Sequence, residues 1–520
     1  MTSDIIYDVL VAGYGPTGML AAIRLARAGH RVAVLERYTT LYNLPRVGIV
    51  HDDIMRMFQE LGCWDAVRPA THFLPVYELA RNGRILMSNE VAPLATHGWP
   101  EMISVYQPAF EAELDRLARA EPNVSLFQGE TVVALAQTPD SVEVTTADQT
   151  GARRTYRGRY LIGADGGNSF VREALGVPYE NLGFDQDWLV IDGRAKNGRS
   201  MQLPQMRQLC EPEQPGMTMQ MGPSNRRWSF MVLPGESKEE AVRPENVWKR
   251  LNRAEGGTPD DFELVRVVTY RFTSLLAERW RDGRVFLAGD AAHQMPPFLA
   301  QGLCSGFRDA YNLAWKLDLV LKGQAPDAFL DTYEAERGPN ARATIIESAR
   351  VGQNVIERDL EKAARRDETL LALHAEMLAR PQDKALIAFR VPGYDGGFVA
   401  PNATGAGDAF PQGTVRLGQR EGLFDDLAGR GLLIVSRHQR PEATLPQEYL
   451  EYWRGLGGGF AHFGTDELQD TGGVYSSLMD EYGCDVLVKR PDYYLFAAVP
   501  TAAELPALLD DFRQQLSVTR

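Results

Sequence analysis

The chain has 520 residues, 44% hydrophobic and 24% charged, the composition of a globular protein long enough for several buried cores. Its formal net charge of -14 excludes a nucleic-acid backbone as the main partner, which needs a basic face, and no apolar run reaches the roughly eighteen residues that span a bilayer. The scattered cysteines Cys63, Cys210, Cys304 and Cys484 form no C-x-x-C pair, so neither a zinc site nor a disulfide framework is expected; with no export segment at the start, the cytoplasm is the expected compartment.

The opening predicts a strand over 8–12, a glycine turn over 13–18, a helix over 19–28 and a strand over 31–35, which is a βαβ unit. Helices are predicted near 52–62 and 108–120. Short period-two runs over 124–161 read as a β-meander ending in Tyr160-Leu-Ile-Gly163. From about 179 to 275 strand signals dominate, with Met217-Thr-Met-Gln-Met221 and Trp228-Ser-Phe-Met-Val232 the clearest. A strand at 284–288 precedes a long helix from about 302 to 321, and further helices continue to about 380. Pro and Gly cluster over 392–414, marking a boundary. A smaller α/β unit follows, with strands at 431–436 and 485–489 and a last helix near 501–516.

Three motifs carry chemistry. Gly13-x-Gly15-x-x-Gly18 follows a strand and opens a helix, the arrangement that brings a pyrophosphate against a helix N-terminus. Glu36 ends the next strand, where an acid accepts hydrogen bonds from an adenosine ribose. Asp165-Gly-Gly-Asn-Ser169 reads equally as a capped turn, with Asp165 or Asn168 as N-cap, and as part of a cofactor site. In Arg284-Val-Phe-Leu-Ala-Gly-Asp290-Ala-Ala-His293-Gln-Met-Pro296-Pro297 a strand ends at an acid, and Pro296-Pro297 keeps the next segment extended. Asp290 is read as a ligand to a ribityl chain, the alternative being a helix cap, and His293 as a structural hydrogen-bonding residue. The long helix after Ala300-Gln301 would aim its positive end at the anion of a reduced flavin. One flavin dinucleotide held at both ends accounts for the first and last motifs together.

These motifs, in this order over residues 5–350, resemble the single-component FAD-dependent aromatic hydroxylases. Within that group Leu44-Pro-Arg46-Val-Gly, Arg226-Arg-Trp228-Ser-Phe-Met-Val-Leu-Pro-Gly-Glu236 and Gly302-Leu-Cys304-Ser-Gly-Phe-Arg308 resemble the 3-(3-hydroxyphenyl)propionate hydroxylase line. The resemblance implies an α/β fold: a glutathione-reductase-like FAD-binding Rossmann domain (1–178 and 276–391) interleaved with a β-rich substrate domain (179–275). A C-terminal thioredoxin-like α/β domain (392–520) would follow, without redox cysteines. It further implies FAD as cofactor, NAD(P)H as electron donor and a phenolic substrate hydroxylated ortho or para by dioxygen through a flavin hydroperoxide. No metal is expected, and a homodimer is one option.

By the same resemblance Gly13, Gly15, Gly18, Glu36 and Arg37 would hold the adenosine half of FAD, and Val132 would meet the adenine. Arg46 and Gln107 would contact the flavin side, Asp165 would serve FAD and NAD(P)H, and Asp290 the ribityl hydroxyls. Pro297, Gly302 and Leu303 would border the ring. Arg46 and His51 are the catalytic candidates. His51 either handles the phenol proton or is a helix-start histidine beside Asp52. Met219, Met221, Trp228, Phe230 and Tyr270 are substrate-wall candidates, and Arg194, Arg227 or Arg271 would pair with a substrate carboxylate. Ala300 and Cys304 depart from the family's Gly-Gln-Gly-Met-Asn and put substrate preference in question. An epoxidase, an oxidase or a non-catalytic flavin protein stays open; a halogenase would call for a Trp-x-Trp-x-Ile-Pro segment, which is absent.

Overall fold

The computed structural model describes residues 2–196, 203–380, 390–464 and 467–517. Its first sheet runs Arg281–Asp282, Val285–Leu287, Arg153–Gly163, Thr2–Ala12, Val32–Glu36, Val124–Gln128, and all but the first of these strands are parallel neighbours. Val9, Leu10, Val11 and Ala12 are fully buried, as expected where helices cover both faces of a parallel sheet. Helix Pro16–Arg27 packs Met19, Leu20, Ile23 and Leu25 inward. The opening βαβ unit and the helices Asp52–Leu61, Gln107–Ala120 and Gly302–Leu321 follow the sequence expectation closely. The run 124–161 differs in part. Only Thr131–Gln137, Val142–Ala147 and Arg153–Gly163 form an antiparallel meander, while Val124–Gln128 extends the parallel sheet beside Val32–Glu36.

The second sheet is built in the order His293–Gln294, Phe262–Ala277, Tyr179–Ala195, Asn225–Met231, Gly216–Met221, Met206–Leu209, Val76–Arg81, Arg84–Glu90. Its last two strands form a hairpin not anticipated from sequence, with Asn82 and Gly83 both at positive φ in the turn. Both faces of the sheet's middle are covered, so Gly216–Met221 and Asn225–Met231 are buried throughout. On the outer face Trp228, Phe230, Leu189 and Ile191 pack with Leu251 of helix Pro244–Glu255. On the inner face Met217, Met219 and Met221 pack with Ile49 and Ala300, toward the first sheet.

The C-terminal unit sets Leu433–Arg437 parallel to Gly459–Phe463 and antiparallel to Val486–Lys489, which pairs with Leu495–Val499. Helices Gln447–Gly455, Val474–Tyr482 and Leu505–Ser517 complete the thioredoxin-like order. Cys484 is its one described cysteine and is buried. Wholly buried charges fasten it to the rest: Arg56 to Asp425 at 2.6 Å, and Arg490 to Glu336 at 2.6 Å, with Lys316 also on Glu336 at 2.7 Å. No described helix is long and apolar enough to cross a membrane, and the described residues hold no cluster suited to a metal ion.

Candidate active site

Because the parallel strands share one direction, the turns after Ala12, Glu36, Gly163 and Leu287 open on the same sheet edge. They border a single cleft of about 620 Å³. Of the expected cofactor residues, Gly13, Gly15, Glu36, Arg37, Arg46, Gln107, Val132, Asp165, Asp290, Gly302 and Leu303 line it, and so does Tyr270. Tyr42, Glu111 and Arg271 line it too.

The three glycines divide the work. A Cβ on Gly13, which has φ +99°, would lie 2.3 Å from the Ala164 carbonyl oxygen, and one on Gly18 2.2 Å from the Gly13 oxygen. Both positions therefore serve close packing of strand and helix, and Gly18 is buried below the cleft. Gly15 is different: no atom lies within 4 Å of a Cβ built there, so its missing side chain keeps the cleft itself open. Helix Pro16–Arg27 starts with Pro at its first position, no side-chain cap and no acid in its first turn. Its partial positive charge thus faces the cleft unopposed. Glu36 is held there by the backbone N–H groups of Tyr14 (2.7 Å) and Tyr38 (2.9 Å).

At the other end, Gly289–Ala291 forms a 3₁₀ turn that exposes Asp290 to the cleft. The Asp290 carboxylate makes no hydrogen bond among the described residues. Surrounding protein raises its pKa above the ordinary range, against the pull of His293 and Arg46. It caps no helix, which leaves its oxygens for a ligand. The turn is anchored from below by Asp309, which accepts the Gly289 N–H at 2.9 Å, His293 Nε2 at 2.7 Å and Arg337 Nε at 2.9 Å. His293 is fully buried in this anchor, a structural position. Next to it, helix Gly302–Leu321 also begins without a side-chain cap or first-turn acid, and Gly302 and Leu303 present its start to the cleft. Ala300 just before it is left-handed, at φ +54°.

Between the ends lies the 45–47 loop. Gln107 Oε1 accepts the N–H groups of Arg46 (2.7 Å) and Val47 (2.5 Å), and its Nε2 donates to Glu111 at 2.5 Å. Burial lifts the Glu111 pKa, while Arg46 beside it works in the opposite direction. The Arg46 side chain is half exposed and lies 5.0 Å from the Tyr42 ring centroid. Asp165 accepts from Ser169 Oγ at 2.5 Å and from the Val171 N–H at 3.1 Å, and burial raises its pKa. The N-cap of the following helix is Ser169, not Asp165 or Asn168.

Several expectations need correction. Trp228 and Phe230 point to the outer face, where Trp228 Nε1 donates to Glu255 at 2.7 Å and its ring meets Phe262 at 4.8 Å; neither can wall the cleft. Met219 and Met221 lie on the inner face but behind Gly48, where an added Cβ would touch Met219 Cε at 2.5 Å, rather than on the open cleft. Pro297 is half-buried in a 3₁₀ turn outside the cleft lining. None of the proposed carboxylate-binding arginines is unpaired. Arg227 holds Asp192 (2.7 Å) and the carbonyls of Pro45 (2.8 Å) and Arg46 (2.6 Å), Arg194 pairs with Glu263, and Arg271 with Asp185. His51 is the N-cap of helix Asp52–Leu61; its Nε2 donates to the Leu299 carbonyl at 3.1 Å, burial keeps its pKa low, and it does not border the cleft.

Asp309 was missed, and Arg227 was expected on a substrate carboxylate rather than on the 45–47 loop it holds. A signal for the first existed: Arg308, Asp309, Asn312 and Lys316 recur at helical spacing in an otherwise apolar helix, and all four are buried. Buried charges are retained where they are paired, so such a stripe marks a network.

With this geometry in view, residues 6–348 match the FAD binding domain family, and the chain belongs to it. Residues 407–515 match the HcaD C-terminal domain. The chain is 40% identical to a probable NADH-specific resorcinol 4-hydroxylase of Rhodococcus jostii (strain RHA1), over 96% of this chain and 93% of that one. It is 32% identical to a 3-(3-hydroxy-phenyl)propionate/3-hydroxycinnamic acid hydroxylase of Escherichia coli (strain SMS-3-5 / SECEC), over 99% and 95%. In fold it is similar to the flavin-dependent monooxygenase PieE in complex with FAD and substrate (TM-score 0.83, 22% identity, 99% and 100% covered). The same holds for aklavinone-11 hydroxylase with FAD and aklavinone (TM-score 0.77, 24% identity, 99% of each chain). The open space at Gly15, the uncapped helix starts and the unpartnered Asp290 carboxylate fit FAD, the cofactor of this family.

Proposed function

We propose that the chain is a monooxygenase that hydroxylates a phenol ortho or para to its hydroxyl, with NAD(P)H as reductant and dioxygen as oxidant. The observation that carries this is the two-ended cleft, with the glycine turn at one end and the Asp290 carboxylate at the other, in a chain 40% identical to a resorcinol hydroxylase. Bound FAD would accept hydride from the nicotinamide and activate dioxygen for transfer to the ring.

The protein's own contribution is placement and electrostatics. Gly13, Gly15 and the start of helix Pro16–Arg27 receive the pyrophosphate, Glu36 the adenosine ribose, and Asp290 the ribityl hydroxyls. Val132 borders the adenine, and Arg37 and Asp165 face the same half of the cleft. Gln107 and Arg227 hold the Arg46–Val47 backbone beside the ring, and Gly302 and Leu303 offer amides to its polar edge. His51 acts through the Leu299 carbonyl, positioning the turn that carries Ala300. Arg227 and Arg266 share the single carboxylate Asp192, and Arg266 donates to the Tyr270 hydroxyl at 3.2 Å. The resulting positive excess favours a phenolate over a phenol, and the phenolate is the more nucleophilic form. The inner face of the second sheet excludes water from the reacting ring.

The test is phenol-stimulated NAD(P)H oxidation by the FAD-loaded protein, with hydroxylated product formed in proportion. Reductant loss that no phenol accelerates would contradict the reading.

A further inference from the structure

The wall of the cleft holds a buried carboxylate that the cofactor contacts above leave without a role. Glu111 lies one turn after Gln107 on helix Gln107–Ala120, and that spacing puts the two on one face. Both border the cleft, yet Glu111 is only 2% exposed and Gln107 1%. Glu111 Oε1 accepts Gln107 Nε2 at 2.5 Å and the Arg46 guanidinium at 3.4 Å, while Oε2 accepts nothing among the described residues. Burying a carboxylate costs free energy that a neutral side chain of the same size would not incur. Filling space is therefore not its use.

Two things depend on the Glu111 charge. The first is the direction of the Gln107 amide. The Arg46 and Val47 N–H groups only donate, so the amide must turn its oxygen to the loop and its NH2 group away from it. An ionised carboxylate only accepts, so Glu111 permits that orientation and no other. A neutral amide in its place would allow either one, and a reversed Gln107 would set its NH2 group against two loop N–H groups. The second is the Arg46 side chain, which is half exposed and whose one ion pair among the described residues is with Glu111. The Tyr42 ring lies beside it, 5.0 Å from the guanidinium to the centroid, and the same guanidinium is near enough to Asp290 to draw that carboxyl's pKa down. Backbone and side chain of Arg46 are thus both fastened through a single carboxylate oxygen.

We propose that Glu111 is a positioning residue for FAD: it sets the Gln107 amide and the Arg46 guanidinium before the cofactor arrives, and so reduces the ordering that binding must supply. The inference rests on the FAD reading of the cleft and holds whatever the substrate.

The test is a double-mutant cycle on the full-length protein stripped of FAD, read by FAD titration and by melting without FAD. Glu111→Gln keeps the shape and removes the charge. It should weaken FAD binding roughly tenfold, the order of one hydrogen bond to a charged group, while the FAD-free protein melts no lower than the native one. In an Arg46→Met background the same change should cost clearly less, because the guanidinium it would release is already gone. Should Glu111→Gln not fold, Glu111→Asp takes its place in the cycle, with the charge kept and the reach shortened. Unchanged FAD affinity in the Glu111 variant overturns the proposal. So does a loss that is the same with and without Arg46, or a lowered melting point with FAD affinity intact, which would mark a packing role. A native protein that takes up no FAD at all would overturn the reading of the cleft itself.

Discussion

Arg227 donates a guanidinium N–H to the backbone carbonyl of Arg46 at 2.6 Å, joining the second sheet to the cofactor loop across 181 residues of chain. A second N–H reaches the Pro45 carbonyl, and Nε pairs with Asp192. Sheet and loop therefore move as one body. Replacing Arg227 with Met would leave two carbonyls and part of a buried carboxylate without partners, a loss of about 3 kcal/mol in urea unfolding. FAD affinity should fall with it, by roughly tenfold for each 1.4 kcal/mol of loop ordering that binding must now supply. Unchanged stability and FAD affinity would show that the Arg227 contacts do not hold the loop.

The glycines of the first turn predict opposite phenotypes. Gly15→Ala meets no protein atom, so the FAD-free protein should melt as the native one does while FAD affinity drops at least about tenfold, since the methyl group enters the pyrophosphate space. Gly18→Ala drives a Cβ into the Gly13 carbonyl and should lower the melting temperature whether or not FAD is present. Melting curves with and without FAD separate the two.

Asp52 supplies a pH signature. Burial and the neighbouring Asp53 push its carboxyl up to about 7, while the His97 N–H it accepts at 2.9 Å only partly offsets this. A carboxyl whose folded pKa lies above its unfolded value favours folding in its protonated form. Its contribution is fully present below about pH 4 and is lost as pH rises through about 7. Asp52→Asn keeps the oxygen that accepts from His97 and removes the charge. The variant should match the native protein near pH 4 and melt higher at pH 8. A melting-temperature difference that does not change with pH would contradict this placement.

Much of the first half of the site was legible because it is local. A strand, three glycines and an acid within thirty residues determine a βαβ turn, and the Gly289-Asp290 strand end repeats the pattern. What sequence left open was the side of the second sheet that meets the cofactor. Alternation separates Trp228 from the methionines, but helix Pro244–Glu255 buries the outer face as thoroughly as the cleft region buries the inner one, so apolar character does not tell them apart. The hairpin at 76–90 carried an Asn82-Gly83 turn signal, yet its place beside Met206–Leu209 depends on a parallel pairing more than 120 residues away.

Ala300 is the departure from the family pattern with the clearest energetic consequence. It holds a left-handed conformation, φ +54°, that a side chain disfavours by about 1 kcal/mol relative to glycine. Ala300→Gly should therefore leave stability unchanged or raise it by up to about 1 kcal/mol, because the relief of strain outweighs the entropy glycine adds to the unfolded chain. Chemical unfolding of the two proteins side by side checks the sign, and a clear loss of stability would mean that the Ala300 methyl group packs productively against Met217 and its neighbours.

The most direct test of the whole account is the fate of oxygen. FAD-loaded protein is given NAD(P)H and a phenol under ¹⁸O-labelled dioxygen, and product mass and reductant use are followed together. The account predicts one labelled oxygen atom in each hydroxylated product, one NAD(P)H consumed per product, and NAD(P)H oxidation that depends on the phenol. Product carrying oxygen from water, or dioxygen consumed with no oxygen entering the ring, would contradict it.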